Sequence, residues 1–85
     1  MAQSTNQQFG KVIRSLRKSK GFTQDELARL ADLDRSYISL LERGLRSPTL
    51  DTMIAMCNGL GIELSDLFAV LESTFSAKAN VSDRS

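Results

Sequence analysis

The sequence contains no histidine and no tryptophan, only one cysteine and one proline, and aromatic residues make up 6% of its 85 positions. Without histidine, the chain cannot form a His-based catalytic triad, an imidazole acid–base pair or a Cys–His zinc finger. Cys57 alone cannot form an internal disulfide, which favours a reducing compartment. Few aromatic residues and a single proline are typical of helical proteins rather than β-sandwiches. These absences argue against an enzyme and predict an all-α fold.

Long hydrophobic runs are also missing. No segment approaches the roughly 18 apolar residues that a membrane span needs, and residues 1–5 lack the charged and apolar regions of a secretory signal. We therefore expect a cytoplasmic protein without a membrane partner. A chain of 85 residues has room for one hydrophobic core, so we expect one domain and no small-molecule ligand.

The charge is nearly balanced in sum but unevenly distributed. Net charge is +1, yet residues 11–46 carry nine basic and five acidic residues, whereas residues 47–85 carry two basic and five acidic ones. A basic half that faces phosphates and an acidic half that faces elsewhere is typical of a small DNA-binding domain. A mixed, solvated surface would give the same counts, so charge alone does not decide.

Five segments carry apolar residues at helical spacing. The first predicts a helix from about Asn6 to Lys20 that ends at Gly21, because glycine readily adopts the left-handed conformation. The second begins at Thr23, the first residue of a capping box, and the third is predicted to begin at Asp34 as its cap and to end at Gly44. The apolar residues of these three helices are Phe9, Val12, Ile13 and Leu16; Leu27, Ala28, Leu30 and Ala31; and Ile38 and Leu41.

A fourth helix is predicted after Pro48, ending at Gly61, and a fifth helix of about three turns follows it. Cys57 falls in the fourth stripe and is interpreted as a small buried hydrophobe. The stripes are Leu50, Met53, Ile54, Cys57 and Leu60, then Leu64, Leu67, Phe68, Leu71 and Phe75. We expect residues 6–76 to form the domain, with a flexible N-terminus at 1–5 and a flexible tail at 77–85.

The second and third helices are separated by only a tight turn, and Ala28 and Ala31 are small enough to let them approach closely. Such a pair is typical of the helix-turn-helix, whose second helix lies in the major groove of DNA. The same spacing also occurs in helical bundles that do not bind DNA.

A resemblance to a known family extends over roughly residues 8–70. Residues 21–28 (GFTQDELA), 36–44 (SYISLLERG) and 47–50 (SPTL) resemble the Cro/C1-type, or XRE-type, helix-turn-helix regulators. The resemblance implies a compact five-helix, lambda-repressor-like DNA-binding domain that regulates transcription and uses no metal or cofactor. The small size and residues 34–39 (DRSYIS) further resemble the controller proteins of restriction-modification systems.

Two positions depart from the family pattern. Asp32 stands where glycine is common in the turn, and aspartate tolerates left-handed backbone geometry there. Glu63 replaces the usual small hydroxyl cap, which leaves the start of the fifth helix open.

The third helix is the predicted reading element. Projection at about 100° per residue turns Asp34, Ile38 and Leu41 inward. The resemblance assigns base contacts to the N-terminal part of this helix, where Arg35 has the donor fork that fits guanine O6 and N7. Leu40 either contacts a thymine methyl or packs against a partner. The predicted base-reading residues are Arg35, Ser36, Tyr37, Ser39 and Leu40.

The resemblance also separates phosphate contacts from structural charges. Gln24 matches a family glutamine that binds phosphate and braces the reading helix, and Arg46 falls where relatives contact the backbone or minor groove. Arg17 and Glu42 match a family salt bridge, so both are interpreted as structural. The predicted DNA-backbone contacts are Thr23, Gln24, Arg43 and Arg46.

The fifth stripe extends beyond what a small core needs, so we expect a homodimer joined through helices four and five. Its predicted interface consists of Leu64, Leu67, Phe68, Leu71 and Phe75. Two reading helices about 34 Å apart would bind a near-palindromic operator in double-stranded DNA. The dimer would repress or activate transcription, its own included, while bound to the nucleoid. Two alternatives stay open: an antitoxin or accessory subunit that binds a protein through helix five, and a helical interaction module without DNA binding.

Overall fold

A computed structural model describes residues 3–79, which form five α-helices and no strand. The predicted all-α, five-helix fold is confirmed. Residues 1–2 and 80–85, which belong to the predicted flexible ends, lie outside the described residues. The helices are α1 (Thr5–Ser19), α2 (Gln24–Ala31), α3 (Arg35–Glu42), α4 (Leu50–Leu60) and α5 (Leu64–Ala79).

Side-chain caps determine where the first two helices begin. The Thr23 hydroxyl accepts the Glu26 amide at 3.0 Å, and the Glu26 carboxylate accepts the Thr23 amide at 2.8 Å. This is the predicted capping box, and it satisfies backbone donors that the first turn of a helix leaves without partners. Ser4 forms a second capping box, so α1 begins at Thr5, one residue before the predicted Asn6.

The predicted side-chain cap of α3 is wrong. Asp34 occupies the N-cap position, but its side chain makes no capping hydrogen bond and is exposed rather than turned inward. The Asp34 carbonyl instead accepts the amides of Tyr37 and Ile38, each at 3.1 Å. A carboxylate at the surface is solvated by water and therefore loses little without the capping bond. Asp32 does adopt the left-handed conformation, with φ of 58°, at the end of α2.

The core lies where α1, α2 and α3 meet α4 and α5. Its largest fully buried side chains come from every helix: Ile13, Leu27, Ile38, Leu41, Met56 and Leu67. The predicted inner faces of α1 and α3 are thus confirmed at their central positions. On α2, Leu27, Ala28 and Ala31 are buried, whereas Leu30 is 51% exposed.

The orientation of α4 differs from the prediction. Leu50 and Ile54, expected in the core, are 55% and 41% exposed, whereas Thr52 and Met56 are buried. Cys57 and Leu60 are buried as expected, since they belong both to the predicted apolar stripe and to the side of α4 that faces the core. The helix is apolar around most of its circumference, so its spacing alone does not determine which side faces the core.

The last helix, α5, is 16 residues long, more than the three turns predicted. Its first turn is closed by Asp66, whose carboxylate accepts the Glu63 amide at 3.0 Å. Leu67 is fully buried and Leu71 is 7% exposed. The side chain of Leu67 therefore packs within the core of one chain, whereas Leu71 keeps a small exposed surface on the outer side of α5.

The helices α1 and α3 cross with their backbones in close contact at Gly10. A Cβ at this position would lie less than 3.0 Å from the carbonyl oxygens of Leu41 and Glu42. Gly44 extends the contact, because it has φ of 75° and a Cβ there would lie 2.7 Å from the Cα of Gln7. The end of α3 can approach α1 this closely only because both positions are glycine.

Burial also controls the chemistry of Cys57, whose side chain lies in the core. Burial raises the pKa of the thiol, and the carboxylates of Asp66 and Glu63 raise it further. The thiol of the unfolded chain has a lower pKa, near 8.5, and below that pH the neutral thiol contributes its full stability to the fold. This contribution is lost as the pH rises through the pKa of the folded thiol.

We therefore expect the wild type to lose more stability between pH 7 and pH 10 than the Cys57→Ala variant loses. Urea denaturation of both proteins at each pH measures the difference. An equal loss in the two proteins would show that the thiol has the same pKa in the folded and unfolded chains.

Candidate nucleic-acid interface

One side of α3 faces the core and the other faces solvent. Ile38 and Leu41 are fully buried. Arg35 and Ser36 are exposed in the first turn of the helix, while Tyr37, Ser39 and Leu40 are half-buried along its flanks. The predicted base-reading residues therefore lie on the solvent-facing side of α3 and on its flanks, with the two most exposed of them at the N-terminal end.

The end of α3 is held by a buried ionic cluster. The Glu42 carboxylate accepts Arg17 Nε at 2.7 Å and Arg17 Nη2 at 3.0 Å, and it also accepts Gln24 Nε2 at 3.0 Å. Arg17 Nη1 donates to the Phe22 carbonyl at 2.8 Å. We call Arg17, Gln24 and Glu42 the Glu42 cluster. It joins α1, the start of α2 and the end of α3.

Arg17 keeps its positive charge within the Glu42 cluster. Hydrogen bonding to Glu42 raises the pKa of Arg17, and this effect exceeds the opposing effect of burial. The side chains of Arg17 and Glu42 are only 9% and 3% exposed, so water contributes little to their solvation. Each charge is therefore stabilised mainly by the other, in a bidentate geometry that fixes the relative position of α1 and α3.

Within the Glu42 cluster, the hydrogen bond to Glu42 determines which way the side-chain amide of Gln24 faces. A carboxylate only accepts hydrogen bonds, so the amide nitrogen of Gln24 must face Glu42. That nitrogen carries a second N–H, and Gln24 is half-buried in the first turn of α2. The side chain can thus brace α3 and still donate toward a phosphate at the start of the helix.

A polar contact between α3 and α4 was missed by sequence reasoning. The Tyr37 hydroxyl lies 3.2 Å from the Thr52 hydroxyl, which accepts a bond from Thr49 Oγ1 at 2.9 Å. Thr52 is 8% exposed. Tyr37 therefore anchors the flank of α3 to the start of α4. Apolar spacing carries no information about such a contact, which pairs residues 15 positions apart.

A second ion pair lies at the surface. Arg35 Nε is 3.2 Å from the Asp25 carboxylate, and the two side chains are 62% and 71% exposed.

The remaining predicted phosphate contacts are accessible: Thr23, Arg43 and Arg46 are all exposed. Arg43 follows directly after α3, and Arg46 lies in the connection to α4.

Among residues 3–79, no three Cys, Asp or Glu side chains are grouped so as to hold a metal ion. No single helix in this range is long and apolar enough to cross a membrane. The helices α4 and α5 reach that length and composition only together, and they are bent by 109° relative to each other.

Comparison with known proteins identifies the family. A helix-turn-helix family model matches residues 13–67. The control protein C.MunI from a Mycoplasma species is 42% identical over 65 residues, which cover 75% of this chain and 88% of the relative. The control protein C.BamHI from Bacillus amyloliquefaciens is 42% identical over 60 residues, covering 69% and 74% of the two chains.

A solved structure agrees. The crystal structure of the restriction-modification controller protein C.AhdI from Aeromonas hydrophila is 41% identical and superposes with a TM-score of 0.71 over 74% of this chain and 96% of that one. The resemblance to XRE-type regulators, and to controller proteins in particular, is confirmed. The chain belongs to the helix-turn-helix family, a regulatory rather than catalytic family, and is an XRE-type DNA-binding transcriptional regulator.

Proposed function

We propose that this protein binds a near-palindromic operator in double-stranded DNA as a homodimer and serves as the controller of a restriction-modification system. The observation that carries the proposal is the fixed orientation of α3. Ile38 and Leu41 anchor its inner side in the core, and the Glu42 cluster anchors its end. Its polar side is thereby presented to solvent as a rigid surface, which major-groove reading requires. The narrower controller role is supported by the relatives named as control proteins.

In this proposal the solvent-facing side of α3 reads base edges. Arg35 donates to a guanine, and the hydroxyl of Ser36 beside it can donate or accept. The other proposed readers are half-buried and reach the groove from the flanks: Tyr37, Ser39 and Leu40. Leu40 offers the apolar surface that a thymine methyl fits.

Phosphate contacts surround this surface. Gln24 donates its second amide N–H to a phosphate. The backbone N–H groups at the start of α2, where Thr23 is the N-cap, donate to the phosphate as well. Arg43 and Arg46 provide cations near the end of α3. These four residues set register and affinity, whereas α3 sets sequence preference.

Arg35→Ala is expected to remove the preference for one guanine in each half-site. A bidentate contact provides about 1–3 kcal/mol of discrimination, so the preference should fall by about 5- to 150-fold. The measurement is selection of sites from random double-stranded DNA by the wild type, then by the variant, followed by titration of both proteins on the selected site. An unchanged preferred site would show that Arg35 does not read a base.

Arg46→Ala is the matched comparison for a phosphate contact. It should weaken binding to all sequences about equally and reduce the slope of log K against log salt by about 1, while leaving the selected site the same. Binding that lacks sequence preference in both variants and in the wild type would instead favour a helical module without specific DNA recognition.

The dimer is supported by the outer surface of α5. A groove of about 390 Å³ lies along this helix between Phe68, Leu71, Glu72, Phe75 and Ser76. Phe68 is 44% exposed, and Phe75 and Leu64 are half-buried. Covering an exposed phenylalanine with the same surface of a second copy removes apolar area from water on both chains. The proposed interface therefore depends on Phe68, with Phe75 and Leu64 beside it.

Phe68→Asp is expected to raise the dimer dissociation constant at least about tenfold, because it places an unpaired charge in the interface. Sedimentation equilibrium at tens of micromolar protein measures this. The control is Val70→Asp, since Val70 is 39% exposed on the same helix but lines a different groove, shared with α1. A wild type that is strictly monomeric would overturn the homodimer and favour an accessory subunit that binds another protein through α5.

A further inference from the structure

The surface pair of Asp25 and Arg35 contains the side chain that is proposed to read a base. Asp25 lies in the first turn of α2 and Arg35 is the first residue of α3, so their contact joins the starts of the two helices. Gln24, next to Asp25, contacts the opposite end of α3 at Glu42. The start of α2 therefore lies across α3 and touches both of its ends.

The contact is an ion pair whose shortest distance lies on one side of the guanidinium group. Arg35 Nε is the atom that faces the Asp25 carboxylate, at 3.2 Å. The guanidinium has five N–H donors, and four of them belong to the two terminal nitrogens. These two nitrogens form the end-on fork that donates to O6 and N7 of a guanine. The closest contact of Asp25 is therefore made with the guanidinium nitrogen that this fork does not use.

We propose that Asp25 is a positioning residue that sets base specificity by holding the guanidinium plane of Arg35 for bidentate reading of a guanine. The proposal rests on the proposed function, in which Arg35 reads a base. A long arginine side chain has many rotamers, whereas a bidentate contact needs one orientation of the planar fork. A carboxylate on Nε selects orientations compatible with that contact before DNA arrives.

Asp25 also opposes the competing use of Arg35. An arginine beside DNA can contact a phosphate, and such a contact carries no sequence information. The carboxylate offsets the charge of Arg35 and repels phosphates from the side chain itself. Asp25 should therefore lower affinity for all DNA while raising the preference for the guanine, which is specificity gained by disfavouring the wrong contact.

The test compares Asp25→Asn with Asp51→Asn. Asp51 lies in the first turn of α4, as Asp25 does in α2, and it is exposed. Among the side chains that the structure describes, those of residues 3–76, Asp51 forms no ion pair. Both substitutions remove one negative charge and the same favourable interaction with a helix N-terminus. Only the first removes the contact with Arg35.

Binding is measured on two sites. The first is a site selected by the wild type, and in the second the guanine whose selection depends on Arg35 is replaced by adenine. We expect Asp25→Asn to reduce discrimination between the two sites about threefold to fivefold, the upper part of the range of a surface ion pair. It should also steepen the salt dependence by about 0.9 per protomer as Arg35 turns to a phosphate. Asp51→Asn should change neither quantity, and adding Asp25→Asn to Arg35→Ala should have no further effect on discrimination.

The positioning role is overturned if Asp25→Asn leaves the discrimination between the two sites unchanged, or reduces it no more than Asp51→Asn does. In either case, Arg35→Ala would still show base reading. A further loss in the double variant would overturn it as well, because Asp25 would then act without Arg35. If Arg35→Ala leaves every guanine preference intact, the proposed function itself fails at Arg35, and the inference fails with it.

Discussion

Gly10→Ala is expected to lower the free energy of unfolding by about 2 kcal/mol or more, although alanine is the better helix former. In an ordinary helix interior this change gains about 1 kcal/mol. Here the new Cβ would lie less than 3.0 Å from two backbone carbonyl oxygens of α3, which cannot rotate away as a side chain can. Separating the helices loosens the core, and overpacking of this kind costs about 1–3 kcal/mol or more.

Thermal unfolding followed by circular dichroism measures the effect. For a domain of this size, 2 kcal/mol corresponds to a fall in Tm of about 8–16 °C. Ser15→Ala is the control, because Ser15 is exposed on the same helix and the change should leave stability nearly the same or slightly raise it. A Gly10→Ala protein as stable as the wild type would show that α1 and α3 can separate without cost.

Breaking the Glu42 cluster should have the largest effect on stability. Arg17→Met leaves the Glu42 carboxylate buried without its cation, and Glu42→Leu leaves the Arg17 guanidinium buried without its anion. Removing one partner of a buried pair costs about 3–5 kcal/mol, a large share of the 5–15 kcal/mol that typically stabilises a domain. We expect both single variants to be largely unfolded at moderate urea concentrations.

The double variant Arg17→Met/Glu42→Leu should be more stable than the sum of the two single losses predicts, because neither charge is then left alone. Urea denaturation of the four proteins gives the coupling energy. The exposed pair provides the comparison: Asp25→Asn should cost only about 0–1 kcal/mol. Strictly additive losses would contradict a direct interaction between Arg17 and Glu42.

These stability variants separate folding from reading. Arg17→Met should lose DNA binding in proportion to the fraction unfolded and should keep the same preferred site at low temperature. Arg35→Ala should show the reverse, with normal stability and an altered site.

Several helix boundaries were predictable from local chemistry. Capping at Thr23 and the stops at Gly21, Gly44 and Gly61 depend on neighbouring residues only, and each is found where expected. Asp34 shows the limit of this reasoning, because a suitable residue in the cap position still makes no bond when water solvates it as well.

Contacts between helices were predictable only through the family resemblance or not at all. The resemblance suggested that Arg17 and Glu42 form a pair. Neither it nor the spacing suggested that Thr52 would displace Leu50 from the buried side of α4, because α4 is apolar on nearly every side and a buried threonine needs a specific hydroxyl partner. The proximity of Asp25 to Arg35 likewise depends on how α2 crosses α3.

The Glu42 cluster has a consequence for where the functional unit begins. The helices α2 and α3 are eight residues each, shorter than the roughly 12–15 residues at which an isolated helix becomes even marginally stable in water. A peptide restricted to residues 23–44 would keep the recognition motif but lose Arg17 and the Gly10 crossing. The smallest fragment that displays the solvent-facing side of α3 therefore has to include α1. Grafting the motif alone onto another scaffold would transfer its sequence without its structure.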